Sequence, residues 1–213
     1  MQKDLEGAIA MAARGRPREF DRTVALERAM KLFWEKGFEG TSMTDLTAAM
    51  EIGSTSLYAA FGAKDDLFRE AVEHYARTAG AAIWEAVTGA DTAYGAVEGY
   101  LMTTARTFTR DEFPSGCLVV LSALHANGAT EALRADLVAK REQNTQMLAQ
   151  RLSQGVATGE IPSTADVLAV ARFYVTVQQG MSIQARDGVD RATLETVARS
   201  ALAAWQPMIS AGG

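Results

Sequence analysis

Two short amphipathic segments stand back to back near the amino terminus, Thr41 to Met50 and a run ending at Phe61. Only Glu51, Ile52 and Gly53 lie between them. A turn of three or four residues between helices points to a helix-turn-helix, which restricts the fold more than any other feature of the chain. In the second segment Leu57 and Phe61 are four residues apart and share one helical face. The opposite face, Ser54, Thr55, Ala59 and the Tyr58 hydroxyl, is small, polar and uncharged, so no long side chain holds it off a partner surface. In a helix-turn-helix the second helix is the one that enters the DNA major groove.

Composition limits the alternatives. The chain has 213 residues, 48% apolar and 22% charged, ordinary for a globular protein with a sizeable core. No apolar run approaches the roughly 18 residues of a membrane span. Asp4 and Glu6 sit where a secretory signal would be apolar, so a cytoplasmic location with no membrane partner is expected. Cys117 is the sole cysteine, which excludes an internal disulfide. With only His74 and His125 beside it, neither a metal site nor a cofactor is expected. The net charge of -5 argues against nucleic acid, but local distribution matters more than the sum. Arg14, Arg16 and Arg18 stand within five residues with no acid between them. They form either a DNA-reaching arm or a solvated tail.

Along the chain every patterned segment is helical. Asp21 or Thr23 caps a first helix to about Lys36, with Leu26, Ala29, Met30 and Phe33 on one face, and Gly37 is placed to end it in a left-handed cap. Thr41 or Ser42 caps the second, supported by Asp45 three residues after Ser42. A single long fourth helix from Lys64 carries Leu67, Phe68, Ala71, Val72, Tyr75, Ala79, Ala82 and Ile83 at a period near 3.6. Five more follow, over about Thr92–Phe108, Cys117–Ala126, Thr130–Gln154, Pro162–Arg186 and a last one ending near Pro207. The expectation is an all-α fold of about nine helices. It divides into a flexible basic arm (1–19), a helix-turn-helix domain (20–66) and an effector-binding and dimerisation domain (67–213). Phe173, Val177, Leu194, Ala198, Ala201, Leu202 and Trp205, on the last two helices, offer more apolar surface than a small core needs. They form either a dimer interface or the interior of one large core.

The run Ala29-Met30-Lys31-Leu32-Phe33-Trp34-Glu35-Lys36-Gly37-Phe38, then Gly40 to Leu46, then Ser56-Leu57-Tyr58-Ala59-Ala60-Phe61-Gly62-Ala63-Lys64-Asp65-Asp66-Leu67-Phe68 resembles the TetR/AcrR family of bacterial transcriptional regulators in both order and spacing. The segments Phe113 to Leu118 and Gln179 to Ser182 look like one subgroup of that family. The resemblance implies a homodimer on a roughly palindromic operator. It also implies a carboxy-terminal pocket whose small-molecule effector shifts the spacing of the DNA heads, most simply in a repressor released by that molecule. It assigns phosphate contacts to Tyr58 and Lys64. Ser54, Thr55 and Ser56 at the start of the recognition helix can meet bases and phosphates. Thr41 and Ser42 suit a phosphate oxygen, and Arg14, Arg16 and Arg18 would reach the minor groove or backbone. Two departures stand out. Glu51 occupies a turn position where many relatives have Gly, and the recognition helix lacks the Lys or His common at positions matching Ser54, Ala59 and Ala60.

For the effector, Trp84, Tyr100, Phe108, Phe113, Cys117, His125, Tyr174, Gln178 and Met181 are large or polar groups on helices expected to converge, though each is as readily a core residue. Cys117 is either a sensor of electrophiles or a buried, inert thiol. The rival classes are a helical protein-interaction bundle and a helical enzyme. No nucleophile elbow, phosphate-cradling glycine loop or metal-spaced cluster supports an enzyme.

Overall fold

The computed structural model describes residues 20–124 and 130–210, and these are all helix and connection. The order is α1 (Arg22–Lys36), α2 (Met43–Met50), α3 (Ser54–Phe61), α4 (Lys64–Arg77), α5 (Ala81–Thr88), α6 (Ala93–Phe108), α7 (Leu118–Leu124), α8 (Glu131–Thr158), α9 (Val167–Arg186), α10 (Arg191–Leu202) and α11 (Trp205–Ser210). Helix starts follow local chemistry. Asp21 accepts from the Thr23 and Val24 N–H groups. Ser42 and Asp45 form a reciprocal capping box on α2, and Thr92, Thr130, Asp166 and Asp190 cap α6, α8, α9 and α10. Side-chain oxygens there satisfy amides that no helical carbonyl can reach. Gly37 ends α1 at φ 74° and ψ 170°, positive in φ but outside the left-handed basin expected for it.

The expected nine helices become eleven because two of them break. The apolar stripe does run on from α4 into α5, but the chain turns between them. Thr78 and Gly80 donate back to the His74 and Tyr75 carbonyls, and a Cβ at position 80 would lie 3.2 Å from the Tyr75 ring. The last helix likewise splits after Leu202.

The head is α1–α3 together with α4. Its centre is a ring cluster in which Phe68 meets Phe33 at 5.0 Å and Phe38 at 5.2 Å, both edge-on. Leu46, Leu57 and Leu67 close around it, fully buried. Because Leu67 and Phe68 lie inside α4, the helix that supplies the head's floor is also the one that reaches the body. In the body α6 is central, packed by α5, α8, α9 and α10. Leu194 and Ala198 are 0% exposed in the single chain. The Trp205 ring packs on Tyr94 and Tyr174 at 5.8 and 6.4 Å, and Ala201 and Leu202 are buried with it. These five residues of the expected dimer surface therefore belong to the protomer's own core, since α10 spends its apolar stripe on α6. Phe173 and Val177, on α9, remain partly exposed.

Candidate nucleic-acid interface

The recognition segment is held from behind. Leu57 and Phe61 anchor α3 in the head core, and the Phe20 ring packs on Phe61 at 6.4 Å. Arg22 adds a lock that sequence reasoning missed. Its guanidinium lies 4.3 Å from the Phe61 ring centroid, donates to the Ala60 carbonyl at 3.0 Å and pairs with Glu70 of α4 at 2.8 Å. One side chain thus satisfies an orphan carbonyl at the end of α3 and ties α1, α3 and α4 together. The only signal for it was an Arg directly after a helix cap.

The other side of α3 faces outward. Ser54 and Thr55 are exposed, Ser56 is partly so, and Tyr58 is 53% exposed. Gly53 precedes them with no side-chain cap, so the first amides of α3 are left for an outside acceptor such as a phosphate. Glu51 adopts the left-handed conformation, φ 57° and ψ 36°, a strained state for a residue with a Cβ. Its carboxylate is drawn to Arg28 of α1 at 2.8 Å, which offsets the negative charge expected near DNA.

Two expected contacts are placed differently from their reading in the sequence. Thr41 is 0% exposed and its hydroxyl donates to the Gly37 carbonyl at 2.7 Å, so it closes the α1–α2 turn and cannot reach a phosphate. The Ser42 hydroxyl is exposed but committed to the capping box, donating to Asp45 at 2.7 Å. The Asp45 carboxyl, held at about 2 first by the Ser42 amide and hydroxyl and then by Lys36, would repel an anion there. Thr44, exposed in the first turn of α2, has no such neighbour bonded to it among the described contacts. Lys64 opens α4 with its ammonium 4.3 Å from the Phe38 ring centroid. Partial burial lowers its pKa, against Asp65 and Glu39, which raise it. Arg14, Arg16 and Arg18 lie outside the described residues.

In the body a small chamber of about 40 Å³ lies between α4, α5, α6, α8 and α9, and it brings together Trp84, Tyr100, Cys117 and Gln178 from the expected effector set. It also contains Tyr75, Lys140 and Asn144, which were not singled out because their contacts are remote in sequence. A larger vestibule of about 410 Å³ adjoins it, sharing Ala76, Trp84, Lys140 and Asn144. The remaining expected residues lie elsewhere. Phe108 and Met181 are core. The buried Tyr174 hydroxyl points to the Ala201 carbonyl at 3.5 Å, its pKa pushed up to about 12 by burial. Phe113 docks on the head, 5.9 Å from the Trp34 ring with Lys31 and Arg110 over its faces. His125 lies outside the described residues. Burial pushes the Cys117 thiol up, against the opposing influence of Tyr75 and the α7 amides. The backbone here is also tied to α9: the Cys117 amide donates to the Ser182 hydroxyl at 2.8 Å. Gly116 sits at φ 85°, where a Cβ would be 2.6 Å from the Ser182 carbonyl.

Within the head the Trp34 ring of α1 meets Tyr75 of α4 edge-on at 4.8 Å, and Arg186 at the end of α9 joins body to head by donating to the Glu35 carbonyl. Between α4 and α8 a cleft of about 590 Å³ is bridged by side chains: Asp65 to Thr130 at 2.8 Å, Arg69 to Asp136 at 2.7 Å and Glu73 to Lys140 at 2.9 Å. Among the described residues no three His, Cys, Asp or Glu groups converge as a metal site, and no helix is long and apolar enough to cross a membrane.

Comparison with known proteins agrees with this geometry. Residues 25–71 match the family described as bacterial regulatory proteins, tetR family, and residues 95–201 match the tetracyclin repressor-like carboxy-terminal domain. The chain is 34% identical to the HTH-type transcriptional repressor ComR of Escherichia coli (strain K12) over 92% of its own length and 94% of that protein's. It is 46% identical to a cysteine mutant of the TetR family transcriptional regulator CifR, solved with a 26 bp double-strand operator DNA. That structure superposes with a TM-score of 0.85 and is covered in full, over 89% of this chain. A putative TetR transcriptional regulator from Rhodococcus sp. RHA1 is 38% identical with a TM-score of 0.57, over 85% of this chain and 98% of its own. An exposed, uncapped second helix on a head of this design, matched along nearly the whole chain by such proteins, has one meaning: the chain belongs to the TetR family of bacterial regulatory proteins and is a DNA-binding transcriptional regulator.

Proposed function

We propose that this chain is a homodimeric repressor that seats its two α3 helices in a palindromic operator and releases it when a small molecule enters the body. The observation that carries the reading is the outward face of α3, where Ser54, Thr55 and Tyr58 surround a helix start with no cap of its own. CifR, similar over nine-tenths of this chain, was captured on operator DNA. The Ser54, Thr55 and Ser56 hydroxyls meet bases and phosphates, Tyr58 and Lys64 meet phosphates, and the arm of Arg14, Arg16 and Arg18 adds the long cations that α3 lacks. Because α3 is poor in bidentate donors, its contacts position the protein more than they specify a sequence.

Two copies pair through the exposed side of α9 and α10. Leu168, Phe173, Val177, Gly180 and Ile183 are spread over the exposed or partly exposed side of α9, and Val197 is exposed on α10. A two-fold axis there matches half-sites one helical turn apart. Trp84, Tyr100, Cys117 and Gln178 form the effector site. No residue set for covalent or metal chemistry is required, and the protein works as a cytoplasmic binding protein, not an enzyme. The test is operator affinity across a salt series, with nuclease protection of the DNA beside its own gene. A steep fall of log affinity with log salt and a symmetric protected site are expected. Salt-independent retention, or no protected site, would overturn the reading.

A further inference from the structure

The effector chamber has a charge pattern that selects for the sign of its occupant. Its walls are aromatic and apolar at Ile83, Trp84 and Tyr100, with amide groups at Asn144 and Gln178. Lys140 is the single charged side chain that lines it, and no carboxylate does. Lys140 also borders the vestibule and the α4–α8 cleft, so it stands where all three spaces meet. One residue further along α8, Arg141 buries its Nη1 without a hydrogen-bond partner, and its charge is felt at Cys117 on the chamber wall. The acid that answers Lys140 is Glu73 of α4, paired at 2.9 Å with its own side chain 54% exposed. Glu73 is therefore the open, water-screened side of the pair, whereas the Lys140 side chain is only 20% exposed.

From this arrangement we infer that the effector is a small monocarboxylate with an apolar or aromatic body, whose carboxylate takes Lys140 from Glu73. The inference rests on the reading of the body as an effector site. A neutral molecule leaves the Lys140–Glu73 pair intact, and a cation in the chamber meets Lys140 with no acid on its wall, the carboxylates Glu73 and Glu85 lining the vestibule instead. The ligand's body lies along Trp84, which lines both chamber and vestibule. Exchange of carboxylates has a mechanical consequence. Glu73 lies on the helix that floors the DNA head, two residues before Tyr75, whose ring packs on Trp34 of α1. Freeing Glu73 removes one of the three bridges over the α4–α8 cleft and leaves Asp65–Thr130 and Arg69–Asp136 to hold α4.

The test uses matched probes on the full-length dimer: benzoate against benzamide and phenylacetate against phenylacetamide, read by thermal shift and by operator affinity. At least one carboxylate is expected to raise the melting temperature and weaken operator binding, with its amide binding at least tenfold more weakly. Lys140→Met should cost that carboxylate tenfold or more in affinity, whereas Glu73→Gln, which removes the competing carboxylate, should tighten it. Glu73 is 54% exposed and Lys140, 20% exposed, is replaced by an unbranched side chain of similar length, and the unliganded melting temperatures of the two variants report that each still folds. Opposite shifts from the two halves of one ion pair are a signature that a purely structural role does not produce. No carboxylate binding, amides that bind as well, or carboxylate binding that survives Lys140→Met would each overturn the anion site. Amides that release the operator would leave the effector reading standing. Carboxylates that bind with the stated preference yet leave operator affinity unchanged would keep the anion site and remove its control of DNA.

Discussion

The head and the body of this chain use polar groups for opposite ends. In the head several polar side chains close gaps left at the ends of helices. Thr41 takes the Gly37 carbonyl, Ser42 and Asp45 cap α2, and Arg22 takes the Ala60 carbonyl and pairs with Glu70. In the body, Gln178, Asn144 and Lys140 converge on a space between helices. Helices of eight residues cannot hold themselves, so the head depends on locks at their ends. The 28-residue α8 and 20-residue α9 are long enough not to depend on such locks, and the proposed effector site uses the polar groups they turn inward. Rigid presentation of α3 and an adjustable body are the two requirements of a regulator.

Substitutions can break that contrast. The largest effect is expected at Phe33, which is 0% exposed at the centre of the ring cluster. Phe33→Ala should cost about 3–5 kcal/mol and unfold the head first, seen as early loss of α1–α4 amide protection in hydrogen exchange while α6 stays protected. Arg22→Ala should cost less, about 1 kcal/mol because the pair is half-exposed. It should still weaken operator binding out of proportion, since α3 loses its tie to α1 and α4; denaturant titration beside a DNA titration separates the two. At position 51 the left-handed backbone predicts that Glu51→Gly is more stable than Glu51→Ala by about 1 kcal/mol, both having lost the Arg28 pair. Equal melting temperatures for these two variants would remove the strain argument. The smallest effect concerns Asp45, whose carboxyl is held at about 2, below its ordinary 3.8, by the Ser42 amide and hydroxyl. A depressed acid contributes stability that is present above its unfolded pKa and lost as pH falls through the folded one. The melting temperature should therefore drop slightly between about pH 4 and pH 2, and Asp45→Asn should lose that part of the slope.

How much of this was legible in the sequence follows the same contrast. The head's helices could be read nearly residue by residue, because caps at Asp21 and Ser42 and the Gly53 joint are local signals. Thr41 misled for the same reason: two adjacent hydroxyls look alike as caps, and only the fold shows that one is buried. The break at Thr78–Gly80 was hidden because the apolar period continues across the turn. In the body the helices were legible and their partners were not. Leu194 and Ala198 form a stripe that suits a second copy as well as α6, and sequence alone holds no distance between them. Tyr75 and Lys140 were passed over because what makes them interesting, a shared chamber with Trp84 and Cys117, spans more than sixty positions.

The central claim is that the outward face of α3 and the start of α4 grip DNA. It is tested most directly by operator affinity of the Tyr58→Ala, Lys64→Ala double variant, measured together with its oligomeric state. Tyr58 is 53% exposed and Lys64 opens α4 at the head's surface, far from α9 and α10 in sequence, so the dimer should persist. The account predicts operator binding weakened at least tenfold in an intact dimer. Unchanged affinity in that dimer would contradict it.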